Sequence, residues 1–421
     1  MQKATLTALA VTILGITSWQ TTSAAVLCVD RGNTACYKRI AQAVAAAAPG
    51  DTITVASGTY REDVVIGKPL QLIGENSATT VINARGKANG LNVDGLDNPG
   101  LANVTISGFT VARANFEGIL VTNASNVTVQ NNQVIHNNQS LDTQNAACPG
   151  LPAFETSEAE DCGEGLHLIG TDHSSVAGNL VANNAGGILI SDETAANHDN
   201  VISNNVVRDN IWDCGITIPS HPPAPGLGST PFGIYKILVT ENTSLRNGTS
   251  APGAGIGLFA FLPGARVSDN VIVGNQMIGN GMPGLAIHAH SPSEDFSNNV
   301  IEDNFIANNG PDTADAATPG PTGINAFGVS AIDGLLIYHN TVKREGIDVV
   351  TNTPATVEAH ENSLLGGNTG LDNLGSGSVN AQDNWWGCSK GPNSKRCSAV
   401  AGSNVVYDPW LSSPPPAKLK K

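Results

Sequence analysis

The sequence predicts an all-β, single-domain right-handed parallel β-helix. Three observations carry that expectation. A glycine followed by apolar–x–apolar recurs along the chain, a second series sets asparagine around short apolar stretches, and 46 glycines stand in a chain of which only 14% is charged. Low charge with abundant glycine and asparagine means many turns between short strands rather than helices. A solenoid escapes the size limit of one globular core, so 421 residues fit one elongated domain as well as two or three compact ones.

The elements follow in chain order. Residues 1–25 read as a secretory signal peptide. Lys3 gives the positive start, ATLTALAVTILGITSW the apolar run, and Ser23, Ala24 and Ala25 the small residues for cleavage before Val26. That run is too short for a comfortable membrane span, and no other stretch is long and apolar enough to cross, so no membrane insertion is expected. Leu27 is too bulky to precede a lipidated cysteine, which argues against Cys28 as a lipid anchor. Residues 26–50 are expected to form an N-terminal cap with a short helix in the Ala-rich stretch TACYKRIAQAVAAAAPGD, stopped at Pro49 and Gly50. The solenoid is expected over 51–411, and a Pro- and Lys-rich tail over 412–421.

Within the solenoid the repeated glycines are Gly90, Gly118, Gly165, Gly187, Gly215, Gly255, Gly284, Gly323 and Gly346. Short intervals separate Gly165 from Gly187 and Gly323 from Gly346, and the longer intervals contain insertions. The asparagine series is led by Asn132, Asn179, Asn205, Asn304 and Asn340. Asparagine tolerates left-handed backbone, and its amide can bond the next copy of itself, so a stacked ladder at one corner of each coil is expected. An antiparallel sandwich is the competing architecture, but it does not need the same glycine and asparagine positions in every turn.

Counting from the repeated glycine, positions +1 and +3 should point into the core and positions +2, +4 and +6 outward. The outward set contains His167 at +2, Phe259 and His288 at +4, and Glu193, His221, Phe261 and His290 at +6. Asp192 and Asp213 lie near the same edge, and the long insertions PSHPPAPGLGSTPFGIYK and NGPDTADAATPGPTG leave from it, as walls of a groove would. Acids, imidazoles and phenyl rings together suit a polysaccharide, with proton transfer from the polar groups and stacking by the rings. Glu193 and His221 are the expected acid/base residues, with His288 and His290 as partners or substrate contacts. Phe259 and Phe261 are expected to stack, and His167, Asp192 and Asp213 to contact substrate. A non-catalytic surface β-helix that binds glycan, metal or a partner protein is the alternative.

The opening DTITVASGTYREDVVIGKPLQLIGEN, both repeat series and DNWWGCSKGPN near the end resemble the pectate-lyase-like right-handed β-helix proteins. The branch most resembled is the secreted β-helix repeat proteins that include periplasmic accessory proteins of nitrous-oxide reductase. The resemblance spans roughly residues 28–411 and implies the fold. These are scaffold motifs, and none of the Asn-Thr-Asp, Gly-His-Gly or Arg-Ile-Lys signatures of polygalacturonases is present, so no catalytic residue carries over.

Charge and cysteines complete the reading. With 21 basic and 36 acidic residues the net charge is −15, which makes the chain a poor candidate for nucleic acid or an anionic membrane, both of which need basic patches. An acidic groove fits a neutral glycan better than a polyuronate, unless Ca²⁺ bridges the charges. The His288-x-His290 pair is the one place where a transition metal is considered, and it lacks a third ligand at fixed spacing. Seven cysteines fit an oxidising compartment, secreted or periplasmic. Proximity pairs Cys28 with Cys36, Cys148 with Cys162 and Cys388 with Cys397, and leaves Cys214 as a buried thiol.

Overall fold

A computed structural model describes residues 24–155, 162–313, 317–365 and 368–416. Most of the expected signal peptide, the acids Glu158, Glu160 and Asp161, and the last five residues of the tail lie outside the described residues. Among the described residues the chain coils into three long sheets of fourteen, twelve and eleven strands, with a small sheet of three, and the paired strands run parallel. No helix among the described residues is long and apolar enough to cross a membrane.

Why these residues form these coils is clearest in the twelve-stranded sheet. Leu166 lies against Ile188, Ile188 against Ile216, Ile216 against Ile256, Ile256 against Leu285, and Leu285 against Ile324. All six are fully buried, so the +1 residue of each coil forms one continuous stripe. Each such side chain contributes about 1.5–3 kcal/mol by leaving water. The preceding glycine is required by the close approach of the next coil. A Cβ on Gly187 would sit 2.0 Å from the carbonyl oxygen of Gly215.

The cap is present but shorter than the Ala-rich stretch. The helix α1 spans Ile40–Ala46, and Ile40, Ala43 and Val44 are its buried face. The Glu62 carboxylate accepts hydrogen bonds from Ile40 N (2.9 Å) and Ala41 N (3.0 Å), satisfying two amides of the first turn. The strand Val26–Val29 already pairs with Thr52–Val55, so the sheet begins inside the cap segment.

The asparagine ladder is longer than the five residues that lead it in the sequence. It runs through Asn132, Asn179, Asn205, Asn242, Asn275, Asn304, Asn340, Asn362 and Asn384, each Oδ1 accepting from the backbone N–H of the preceding member. The residue before each of them from Asn179 onward takes left-handed backbone, as at Asn204 (φ 55°) and Asp303 (φ 54°), which turns the corner. A second ladder joins Asn137, Asn184, Asn210, Asn247, Asn280 and Asn309, and ends on Glu345.

That ending has a consequence for pH. Burial pushes the Glu345 carboxyl up to about 7, against the pull of its bonds from Asn309. Because the folded value is raised, the native state holds a proton that the unfolded chain releases near pH 4.5. Stability from this group is full below that value and is lost as pH rises to about 7. At about 1.4 kcal/mol per pKa unit the loss is at most about 3 kcal/mol. Glu345→Gln is therefore expected to unfold at higher denaturant than the wild type at pH 8, with the gap closing at pH 4.5. An equal gap at both pH values would contradict the assignment.

Two expectations are corrected here. The repeated-glycine register slips at Gly346. Ile324 pairs with Val349 and Phe327 with Asn352, so Asp348 lies opposite Gly323 rather than beside Asn325. More important, the outer face of the twelve-stranded sheet is largely covered. His167, Thr217, Ala286 and Asn325 are buried although they point away from the core, because the insertions fold back over them.

Candidate functional site

The +6 column brings Glu193 and His221 together. They sit on adjacent coils, and His221 Nδ1 lies 2.6 Å from Glu193 Oε1. Burial alone would raise the carboxyl and lower the imidazole. The mutual attraction overrides both, leaving the Glu193 carboxyl below its ordinary range and the His221 imidazole above it. Glu193 is fully buried, while the His221 side chain keeps 8% of its surface. The pair thus places a partly exposed imidazole against a buried carboxyl, and each favours the charged form of the other.

Behind this pair runs a longer polar chain. Ser191 Oγ donates to the other oxygen of Glu193. His167 Nε2 lies 2.7 Å from Ser191 Oγ, and His167 Nδ1 lies 3.6 Å from Glu117 Oε1. Glu155, from the insertion between Cys148 and Cys162, is buried beside Glu117 and His167. Burial, then Glu117 and Glu193, hold the Glu155 carboxyl well above its ordinary range.

The histidines of GLAIHAH take different roles. His288 is buried, with Nε2 2.5 Å from Asp312 Oδ2 and 3.1 Å from Asn325 Nδ2. His290 Nδ1 lies 2.9 Å from the Ala260 carbonyl oxygen. Their rings meet edge to face at 5.1 Å, with His288 Nε2 engaged by Asp312 and Asn325 and His290 Nδ1 facing the Ala260 carbonyl. Phe261 is 54% exposed and stacks on His290 at 4.5 Å between ring centroids. His221 and His290 are two coils apart on the same edge, about 10 Å along the axis.

Other expected contacts are corrected. Asp192 faces no groove: its carboxylate accepts from Ser220 Oγ (2.8 Å), His221 N (2.7 Å) and Gly233 N (2.6 Å), fastening the 221–233 insertion. Burial, then Glu193, push it up to about 6. Asp213 lies at the opposite end of its strand, beside the buried Cys214 thiol, which burial and Asp213 push upward. Phe259 packs against a satellite cluster of Cys214, Ala254, Met282 and Ala286 rather than offering a platform. His167 is wholly buried. The three expected disulfides are formed, with Cα separations of 5.0, 5.0 and 5.3 Å.

Sequence reasoning missed Glu117, Glu155 and Asp312. Glu117 had a signal: it precedes a repeated glycine just as Glu164 does, on the next coil. Glu155 and Asp312 sit in insertions without periodicity, where only the folded loop reveals their neighbours. Glu294 also went unassigned. Burial pushes its carboxyl up to about 7, near His290.

The coils, sheets and caps make this chain a right-handed parallel β-helix protein. Residues 74–224 match the family model of the right-handed β-helix region. A DFA-IIIase from Arthrobacter chlorophenolicus A6 in complex with GF2 superposes with a TM-score of 0.53 at 12% identity, over 85% of this chain and 89% of that one. The Dettilon tailspike protein superposes with a TM-score of 0.51 at 14% identity, over 86% of this chain and 64% of that one. A mannuronan C-5 epimerase A-module from Azotobacter vinelandii gives 0.47 at 17% identity, over 89% and 92%. No curated protein matches the sequence.

Proposed function

We propose that this chain is an exported β-helix protein that binds a polysaccharide along the edge carrying His221, His290 and Phe261, and that His221 transfers a proton to or from the bound sugar. The observation that carries this reading is a carboxylate-held imidazole at the rim, on the same edge as an exposed stacked ring. A phenyl ring offers an apolar face to a sugar, and an imidazolium at the adjoining rim is a ready general acid. The acidic net charge favours a neutral glycan. Three disulfides fit export to an oxidising compartment. The scaffold shared with a DFA-IIIase is an analogy of fold and assigns no residue.

One observation favours the second reading, a β-helix that binds without catalysis. Asp192 and Glu193 are fully buried and hold the 221–233 insertion in place, which a purely structural network would also do. A glycan panel separates the two, read for binding, new reducing ends and unsaturated uronate absorbance. Phe261→Ala is expected to weaken binding of the recognised glycan by about threefold to tenfold, the value of one ring contact. Binding without turnover supports the second reading. A folded protein that binds no glycan sinks the first reading and leaves the second only with a metal or a partner protein.

A further inference from the structure

The buried groups behind His221 include three side chains of metal-ligand type whose facing atoms have no hydrogen-bond partner among the described residues. Ser191 Oγ has one proton, and it donates that proton to Glu193. The contact between His167 Nε2 and Ser191 Oγ at 2.7 Å must then be donated by the ring. That fixes the tautomer: in the neutral imidazole Nδ1 carries a lone pair. Nδ1 points at Glu117 Oε1 across 3.6 Å, too far for a hydrogen bond.

Glu155 completes the group. One ligand atom each from Glu117, Glu155 and His167 lie within 4.8 Å of one another, and all three residues are buried. Both oxygens of Glu117, both of Glu155 and His167 Nδ1 have no hydrogen-bond partner among the described residues. Leaving such groups buried and unbonded costs several kcal/mol in total, and a cation between them removes that cost. Three donors bound tetrahedrally at about 2.1 Å to one ion lie about 3.4 Å apart, so binding draws atoms now within 4.8 Å of one another inward by up to about 1.4 Å, a shift that rotation of the two Glu side chains can supply.

We propose that Glu117, Glu155 and His167 form a site for a divalent transition-metal ion of the Zn²⁺, Mn²⁺ or Co²⁺ kind, distinct from the polysaccharide edge. An imidazole with two carboxylates suits these ions better than Ca²⁺, which takes oxygen donors in larger number. Ser191 is a positioning residue, since it binds the far nitrogen of the ligand ring and aims the near one. Glu117 and His167 come from adjacent coils, at the end of one turn and within the next strand. Glu155 comes from the insertion tied by Cys148 and Cys162. The ion therefore fastens that loop to the sheet.

The test uses the full chain, treated with chelator and then titrated separately with Co²⁺, Zn²⁺ and Ca²⁺. Calorimetry reads stoichiometry, and visible absorption reads the Co²⁺ ligand field. One equivalent of Co²⁺ or Zn²⁺ is expected, with a rise in Tm and d–d bands that include a nitrogen donor. Glu155→Gln, on the loop, and His167→Ala are expected to lose the bands and weaken binding more than about 100-fold, and Ser191→Ala to weaken it about 10- to 100-fold. Unchanged circular dichroism confirms that each variant is folded. No uptake by the folded wild type overturns the site. So does equal uptake by wild type and both ligand variants, or uptake of Ca²⁺ alone that persists in His167→Ala.

Discussion

His221→Ala is expected to lower turnover of the recognised glycan by about 10²- to 10⁴-fold while leaving glycan binding within a few-fold of wild type, the range ascribed to one positioned proton donor. The reasoning starts from charge. Burial would discharge the imidazole, but the Glu193 carboxylate at 2.6 Å outweighs it and raises the pKa above its ordinary value. If His221 is the general acid proposed above, activity is expected to fall as pH rises through its raised pKa. Glu193 is buried and cannot reach a sugar, so it acts through His221. Glu193→Gln removes the charge and keeps the shape. Its alkaline limb in kcat/KM should therefore move to lower pH, whereas a merely structural Glu193 would leave the limb in place. Turnover unaffected in His221→Ala would end the assignment.

Asn242→Leu is expected to destabilise the solenoid by about 3–5 kcal/mol, because several buried groups lose their partners at about 1–3 kcal/mol each. Asn242 Oδ1 accepts from Asn205 N and Asn205 Nδ2, both at 2.9 Å. Its Nδ2 donates to Ile202 O at 2.8 Å and to Asn275 Oδ1 at 3.0 Å. Leucine keeps the branched heavy-atom skeleton and provides none of these bonds, so the effect reports the lost ladder bonds together with the extra bulk of two methyl groups, and not a cavity. Denaturant midpoints by circular dichroism give the measurement. A loss under about 1 kcal/mol would mean that the ladder bonds are replaced by water and do not hold the coils together.

The asparagine series was legible because its chemistry repeats. Asn132, Asn179 and Asn205 stand before short apolar stretches, and the same corner needs the same amide in each coil. Asn242 and Asn275 belong to the same column, although long insertions hide their spacing. The glycine register was legible from Gly90 to Gly323, and failed at Gly346 because strand pairing there follows Ile324 and Val349 rather than the glycine. The Glu193–His221 pair was legible as neighbours on adjacent coils. Their burial was not, because it comes from the 221–233 insertion and its bonds to Asp192, Glu193 and the sheet.

The sequence by itself determined the β-helix, its corners and which side chains leave the core, since these follow from a period that every coil must share. Only the tertiary structure decided which outward side chains meet solvent. GLAIHAH shows why: His288 and His290 leave the same strand face, yet Asp312 from an insertion closes over His288 while His290 stays partly exposed against Phe261. Glu155 reaches Glu117 and His167 in the same way. Loops carry no period, so their contacts are set by where they fold back, and chemistry that depends on them appears only in three dimensions.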